Sequence, residues 1–532
     1  MESADLVLQK PDLAFVQCED GWHRMDECGG RWRHRDIELE STPGSGQNSV
    51  CVTASQTGVL RAALRWKRRK ETGLPVKVLC DAWERGYGGL EWRGIVPERV
   101  MPWYFLTCDG KSACGCGVKT QPGAFCFWML SEDDVTLCMD LRCGGAGVLL
   151  SGRRLGAACI VSVKGGEDSF RAAKNLCLKM CAGPGRPVSP VYGGNDWYYA
   201  YGGNTAAGIL DEAGLISDFA AGNKIRPYMV VDDGWQVTRD SGGDSRGPWD
   251  RGNSRFPDMP RLAGDIRRTG CLPGIWYRPL LTSLRDKNVR FLERKGFPPV
   301  LDPSDEDTLR FIAGDVSRLA GWGYRLIKHD FSTYDIMGRW GFEMGASPTA
   351  DGWSFSNTHK TTAEIITRLY RVIQEAAGSS LVLGCNTIGH LCAGIHDMSR
   401  TGDDTSGLNW ERTRRMGINT LAFRLPQHGV FYSADADCVG ITDNIDWHVN
   451  RQWLSLLSRS GTPLFVSAAP QACGAEQKAA LREAFAEASR PSHSCRPLDW
   501  METTCPSAWE IDGSEERFHW DPEDRIPPIE KI

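Results

Sequence analysis

Apolar and polar positions keep two different rhythms along this 532-residue chain. Up to about residue 185 the apolar runs are short and are parted by glycine-rich turns, as in Ser49-Val-Cys-Val-Thr53, Gly123-Ala-Phe-Cys-Phe-Trp-Met-Leu130 and Gly147-Val-Leu-Leu150. Such runs predict a β-sandwich. Only 168–181 carries apolar positions at helical spacing, ahead of a Gly-Pro-Gly break at 183–185, and it reads as a connecting helix. After Pro190 strands alternate with helical stretches of roughly 10–18 residues, the pattern of parallel βα units. Eight strands centre on Trp197, Val230, Ile275, Ile327, Leu383, Met398, Phe431 and Leu464, with helices expected over 206–220, 259–268, 305–319, 361–377, 412–423, 444–457 and 475–488. The expected fold is therefore α/β, a (β/α)8 TIM barrel over 186–490. It follows an N-terminal β-sandwich over 1–185 and precedes a small C-terminal β-element over 491–532, which ends in Pro527-Pro528-Ile-Glu-Lys-Ile532.

The stretch Gly323-Tyr-Arg-Leu-Ile-Lys-His-Asp-Phe331 carries an apolar run into Lys328 and Asp330. Residues two apart in a strand share a face, so both charges are expected to point together at the strand's C-terminal end. Buried charges need a partner or a function. The string reads either as the floor of an active site or as a surface strand ending in an ion pair.

Composition narrows the classes. The chain is too long for a single core, so two or three domains are expected. A net charge of −5 from 62 basic and 67 acidic residues, with no long run of one sign, argues against nucleic acid or an anionic membrane as partner. No apolar run reaches a membrane span, and Met1-Glu-Ser-Ala-Asp-Leu6 does not have the form of a signal peptide, so a cytoplasmic location is expected. Twenty cysteines scattered over such a length do not make a disulfide framework. Neither Cys114-Gly-Cys116 nor Cys177 with Cys181 has zinc spacing, and His390 and His396 beside Cys385 and Cys392 match no metal site, so no metal is assigned. Twenty tryptophans suit a sugar cleft as well as a core.

A barrel carries its chemistry at the C-terminal ends of its strands. Those ends hold Gly193-Gly-Asn-Asp196-Trp197, Val230-Val-Asp232-Asp233-Gly-Trp235, Gly274-Ile-Trp276-Tyr-Arg278, Lys328-His-Asp330, Gly384-Cys385-Asn386 and Arg400-Thr-Gly-Asp403-Asp404-Thr405. Each string has a plain structural use, Asp-Asp-Gly as a turn and Arg-x-x-x-Asp as a helix-surface pair. A turn has no need of matching carboxylates on four strands. Paired carboxylates between aromatic walls are the equipment of glycoside hydrolysis.

The order Asp-Asp-Gly-Trp, Gly-Ile-Trp, Lys-x-Asp and Arg-x-x-x-Asp, behind an N-terminal sandwich, resembles the α-galactosidases of glycoside hydrolase family 36. The likeness spans roughly 1–505 and is strongest from Tyr192 to Asp404. It implies a retaining glycosidase that needs no cofactor and acts on an oligosaccharide or glycoside. Asp330 would be the nucleophile and Asp404 the general acid/base, with Asp403 as the alternative because some relatives place the acid in a Ser-Asp-Asn-Thr string. Asp232 and Asp233 would take galactose hydroxyls, Lys328 and Arg400 would hold others, and Trp197, Trp235 and Trp276 would line the pocket, with Asp196, Cys385 and Asn386 nearby. Lys328 is expected to keep Asp330 ionised and Asp403 to keep a proton on Asp404. Relatives form dimers or tetramers, with the sandwich as the contact suggested by analogy.

The chain departs from the family's long bacterial members. Lys328-His-Asp-Phe-Ser332 stands for Lys-Trp-Asp-Met-Asn, Cys385 is followed by Asn-Thr-Ile-Gly389 in place of glycines, and Trp276-Tyr-Arg278-Pro replaces Trp-Phe-Glu-Pro-Glu. This is the pattern of a divergent branch. The same machinery would serve an α-galactosyl transferase of the raffinose and stachyose synthase kind, an exo-glycosidase for α-N-acetylgalactosamine or β-L-arabinopyranose, or a carbohydrate-binding protein without catalysis.

Overall fold

The computed structural model describes residues 3–68, 76–181, 187, 189–241, 243–284, 288–491 and 493–521. The Gly-Pro-Gly break at 183–185 and the C-terminal string 527–532 lie outside the described residues. Two antiparallel sheets fill the N-terminal third. One, of six strands, runs in the order Gly21–Arg24, Leu13–Cys18, Arg61–Lys67, Asp134–Asp140, Phe125–Leu130 and Met101–Pro102. The other, of eight, includes Gln47–Ala54, Leu155–Lys164, Ala113–Val118 and Tyr104–Cys108. Their inner faces meet through large rings, with Phe105 of the second sheet 5.6 Å from Trp128 of the first. Alternation explains the facing: in Leu13–Cys18 every second residue is buried. The helix Ser169–Met180 follows, capped at its start by the Asp168 carboxylate, which accepts from the Arg171 N–H.

The second half closes into a parallel barrel. Its strands are β1 (Tyr192–Asn195), β2 (Tyr228–Val231), β3 (Leu272–Tyr277), β4 (Leu326–His329), β5 (Leu381–Gly384), β6 (Met398–Arg400), β7 in two halves (Ser433–Asp435 and Cys438–Ile441) and β8 (Leu464–Ala468). Every pairing is parallel, and β8 pairs with β1, closing the ring. The first half of β7 pairs with β6 and the second with β8. Between them Asp437 takes φ 68°, a left-handed conformation that breaks the strand.

The strand expected around Trp197 ends at Asn195, and Trp197 opens a short helix, Trp197–Ala200. Phe431 likewise precedes its strand, which begins at Ser433. In both places an aromatic at the strand's edge, packed in the core, reads by pattern like strand interior. Most helices fall where the period places them, and their caps say why. Thr205, Asp258, Asp305, Thr361 and Asp446 each accept a backbone N–H at the start of a helix. Thr362–Ala377 buries Ile365, Ile366, Leu369, Val372 and Ile373 along one face. Each such side chain contributes about 1.5–3 kcal/mol on burial. The helix expected over 412–423 is instead Trp410–Thr413, a π-helical turn Arg414–Asn419 and Thr420–Arg424. A three-stranded antiparallel sheet, Cys495–Pro497, Ala508–Ile511 and Ser514–Arg517, forms the C-terminal element.

Candidate active site

The charged strand ends do gather at the barrel's C-terminal mouth, but they are partnered differently from the sequence expectation. Lys328 points into the barrel and donates to Asp232 at 2.6 Å. It does not pair with Asp330. The strand ends at His329, so Asp330 stands in the following turn, where the two-residue period no longer applies. Asp232 also accepts from Asn195 at 2.7 Å, while its own N–H donates to Asp196 at 2.8 Å. Burial disfavours the Lys328 charge, but Asp232 and Cys385 outweigh it and hold the ammonium firmly protonated. Burial and the neighbouring Asp232 carboxylate push Asp196 up to about 7. Asp233 is engaged on both oxygens, by Gln236 at 2.7 Å and by Arg239 and Ser245.

Asp330 is set by local geometry. Phe331 is left-handed at φ 62°, costing roughly 1–2 kcal/mol for a residue with a Cβ. That turn begins the helix Ser332–Met337 and brings the Phe331 N–H to the Asp330 Oδ1 at 2.7 Å. The Trp276 indole N–H donates to the other oxygen at 3.0 Å. Behind the turn, Arg278 pairs with Asp335 through two hydrogen bonds of 2.9 and 2.6 Å and lies 4.2 Å from the Phe331 ring centre. Asn386 fixes the same helix, accepting from the Tyr334 N–H at 3.0 Å through its side chain and from Thr333 through its carbonyl. Trp235 is fully buried and donates to the Trp276 carbonyl, so it stands behind that wall. Trp197 is half-buried, its ring edge against Tyr201, 5.6 Å away.

Past β6 the chain has left the strand, and Asp403 and Asp404 go to different partners. Asp403 takes Arg85 at 3.0 Å and Arg412 at 2.7 Å. Asp404, with 39% of its side chain exposed, meets Arg400 at 3.2 Å. Arg400 is sealed, and it also contacts Asp437 at 2.8 Å and the Cys385 sulfur at 3.3 Å. Burial raises the Asp404 carboxyl, but Arg400 and Arg85 outweigh it and hold it below its ordinary value. The expectation that a neighbouring Asp403 keeps a proton on Asp404 does not hold, because cations outweigh it: Arg400, Arg85, Lys328 and Arg412 favour the ionised form. Asp437 itself is held by Arg400, the Tyr198 hydroxyl and Thr405. Burial pushes Asp435, one turn of strand below, up to about 6.

Several of these groups escape the sequence reading. Asp435-x-Asp437 has the same charged strand-end form as Lys328-x-Asp330 and was legible on that ground. Glu84 and Arg85 were not, because they come from the sandwich. Glu84 is buried and accepts from Asn386 at 2.9 Å and from Tyr87. Arg85 lies 5.5 Å from the Trp340 ring centre and 5.9 Å from that of Tyr87. Trp340 stacks on Tyr334 at 4.4 Å and approaches Phe331 at 6.1 Å, so an aromatic wall runs from Trp276 at Asp330 round to Arg85. Among the described residues no group of three or more histidine, cysteine or acidic side chains is placed to hold a metal ion, and no helix is long and apolar enough to cross a membrane.

No protein-family model matches the sequence, and no curated protein matches it. Solved structures do match. The α-galactosidase TtGalA of Thermus thermophilus, in complex with p-nitrophenyl α-D-galactopyranoside, shares 20% identity at a TM-score of 0.59, covering 90% of this chain and 96% of that one. The same enzyme with stachyose gives 18% and 0.54, over 84% and 99%. A substituted form of the GH36 α-galactosidase AgaA of Geobacillus stearothermophilus, with raffinose, gives 14% and 0.64, over 94% and 79%. At these identities the likeness establishes the fold, a barrel behind a β-sandwich over nearly the whole chain.

Proposed function

We propose that this chain is a retaining glycosidase that releases terminal α-linked galactose by double displacement. The observation that carries the reading is the pairing at one barrel mouth of an oriented carboxylate, Asp330, with an accessible one, Asp404, fastened to Arg400. The shared fold with enzymes solved around galactosides, raffinose and stachyose supports the choice of sugar.

In this reading Asp330 attacks the anomeric carbon while Asp404 protonates the leaving oxygen. The Trp276 and Phe331 N–H groups hold both Asp330 oxygens, which fixes the attack direction before substrate arrives. The covalent sugar is then released by water, with Asp404 as base. Asp404 suits the acid/base role better than Asp403, because it is the more exposed of the two and its arginine contacts are longer, 3.2 and 3.8 Å against 3.0 and 2.7 Å. The arginines around Asp404 favour its ionised form, which serves the base step, and make protonation for the first step the more demanding half of the cycle. Lys328 and Asp232 form the polar floor on which ring hydroxyls would rest. Asp233, already engaged by Arg239, Gln236 and Ser245, would act through those neighbours.

The test is hydrolysis of a panel of nitrophenyl glycosides by the wild type and by Asp330→Ala, with azide added to the variant. Release from the α-galactoside by the wild type, with azide restoring turnover as the β-galactosyl azide, is the expected result. Cleavage of another sugar moves the specificity and keeps the mechanism. Transfer seen only with an acceptor sugar present identifies a transferase, and binding without turnover sinks the catalytic reading.

A further inference from the structure

We propose that Arg85, carried into the barrel mouth by a loop of the N-terminal sheets, is a positioning residue that sets the protonation and aim of Asp404; the proposal rests on the acid/base role given to Asp404 above. The loop is stitched to the segment that bears the carboxylate. The Gly86 N–H donates to the Thr401 carbonyl at 2.8 Å, and the Asp403 N–H donates to the Gly86 carbonyl at 3.0 Å. The fit is close enough that a Cβ at Gly86 would lie 2.8 Å from the Thr420 methyl, and one at Gly402 would lie 2.1 Å from the Met416 carbonyl oxygen. Residues 401–403 therefore owe their path partly to a loop more than 300 positions away.

Arg85 is 4% exposed, a charge almost removed from water. Its guanidinium reaches Asp403 at 3.0 Å with one terminal nitrogen and Asp404 at 3.8 Å with the other, and its Nε donates to Glu84 at 3.3 Å. The rings of Tyr87 and Trp340 flank it. Both cationic contacts of Asp404, from Arg85 and from Arg400, fall on Oδ1. That pinning leaves Oδ2 as the oxygen that carries and delivers the proton. A planar, permanently charged fork suits this place better than an ammonium, because it spans two carboxylates and stacks on rings at once.

The other charged groups near Asp404 act with or against this pair. Lys328 from β4 and Arg412 from the following helix also favour its ionised form. Tyr198 and Asp437 face it across Arg400, and the proximity of Asp404 helps keep the Tyr198 hydroxyl protonated. Arg85 alone among these cations comes from outside the barrel, so it can be altered without substituting any barrel residue.

The experiment compares wild type, Arg85→Gln and Arg85→Lys by two readouts. One is the pH profile of kcat/KM on aryl α-galactosides. The other is a carbon-13 NMR titration of the Asp404 carboxyl, assigned with Asp404→Asn. Loss of the charge in Arg85→Gln should move the Asp404 titration, and with it the alkaline limb of the profile, upward by about one pH unit. Arg85→Lys should restore most of that shift while lowering kcat for poor leaving groups, because the point charge cannot hold the carboxylate's aim. An Asp404 titration unmoved in Arg85→Gln, or one moved equally by Arg85→Lys, overturns the proposal. A wild type silent on every α-galactoside, with the titration still moving, would sink the galactosidase reading and leave the coupling of Arg85 to Asp404 in place.

Discussion

Asp330 and Asp404 stand on one barrel mouth and are held in opposite ways. Asp330 is fixed by neighbours one or two positions from it or by the adjacent strand: the N–H of Phe331, the indole of Trp276, the helix that starts at Ser332. Its contacts are neutral hydrogen bonds of fixed geometry. Asp404 is fixed by charge, from Arg400 at the end of β6 and Arg85 from the sandwich, and it keeps a large exposed fraction. The first arrangement suits a group that must meet one carbon along one line. The second suits a group that must change its protonation twice in a cycle, because a field from fixed cations acts on a carboxylate without occupying its second oxygen. The general lesson is that aim is best supplied by dipoles close in sequence, and acidity by charges brought from elsewhere.

The most direct way to break the contrast is at its ends. With Asp330 as the proposed nucleophile, Asp330→Ala should lower kcat by about 10⁴-fold or more. Asp404→Asn should cost about 10²–10⁴ in kcat/KM for poor leaving groups and much less for 4-nitrophenol, whose departure needs little protonation. Asp403→Asn, measured on the same substrates, should fall by less than about 10²-fold. A reversed order for the two aspartates would move the acid/base role to Asp403.

The contrast is sharpened by stability. Asp335→Ala leaves Arg278 buried without its partner behind the Asp330 turn, and should cost roughly 3–5 kcal/mol in urea unfolding. A loss below 1 kcal/mol would mean that the turn does not depend on this pair. The smallest effect concerns the buried imidazoles beside β4 and β5. Burial holds His396 down at about 3. Its free value near 6.5 is higher, so the unfolded chain takes up a proton that the folded chain refuses, and stability falls as pH drops below about 6.5. His396→Met should remove that dependence, lessening the loss by about 1.4 kcal/mol per pH unit between pH 6.5 and 5. Equal pH slopes for variant and wild type would count against a neutral buried imidazole.

What could be read from the sequence divides along the same line as the site. β2 to β6 and the residues at their ends were legible because a buried parallel strand shows as a short apolar run and the polar residues after it are conspicuous. Helical spacing placed most of the barrel helices. Trp197 and Phe431 misled because a large apolar side chain looks the same to a periodicity argument whether it continues a strand or packs just outside it. The break at Asp437 left no mark, since a left-handed aspartate is one rotation away from an ordinary one. The pairing of Lys328 with Asp232 was hidden by the assumption that the strand ran on through Asp330. Arg85 was the least legible of all. Nothing near Trp83-Glu-Arg-Gly-Tyr87 distinguishes a loop that covers its own sheet from one that crosses to a barrel, and that information lies in long-range packing.

The glycines at 86 and 402 set terms for how this protein can vary. Each sits where even a methyl group would strike its neighbour, so any side chain there would force the seam to shift. A recombinant in which the barrel is grafted behind a foreign sandwich would keep the Trp276 and Phe331 hydrogen bonds to Asp330 but lose the Arg85 contact to Asp404. Its Lys328–Asp232 pair would remain, while Asp404 would lose one of the cations that favour its charged form. The two halves of the chain thus share the charge that acts on Asp404, one through Arg400 and the other through Arg85.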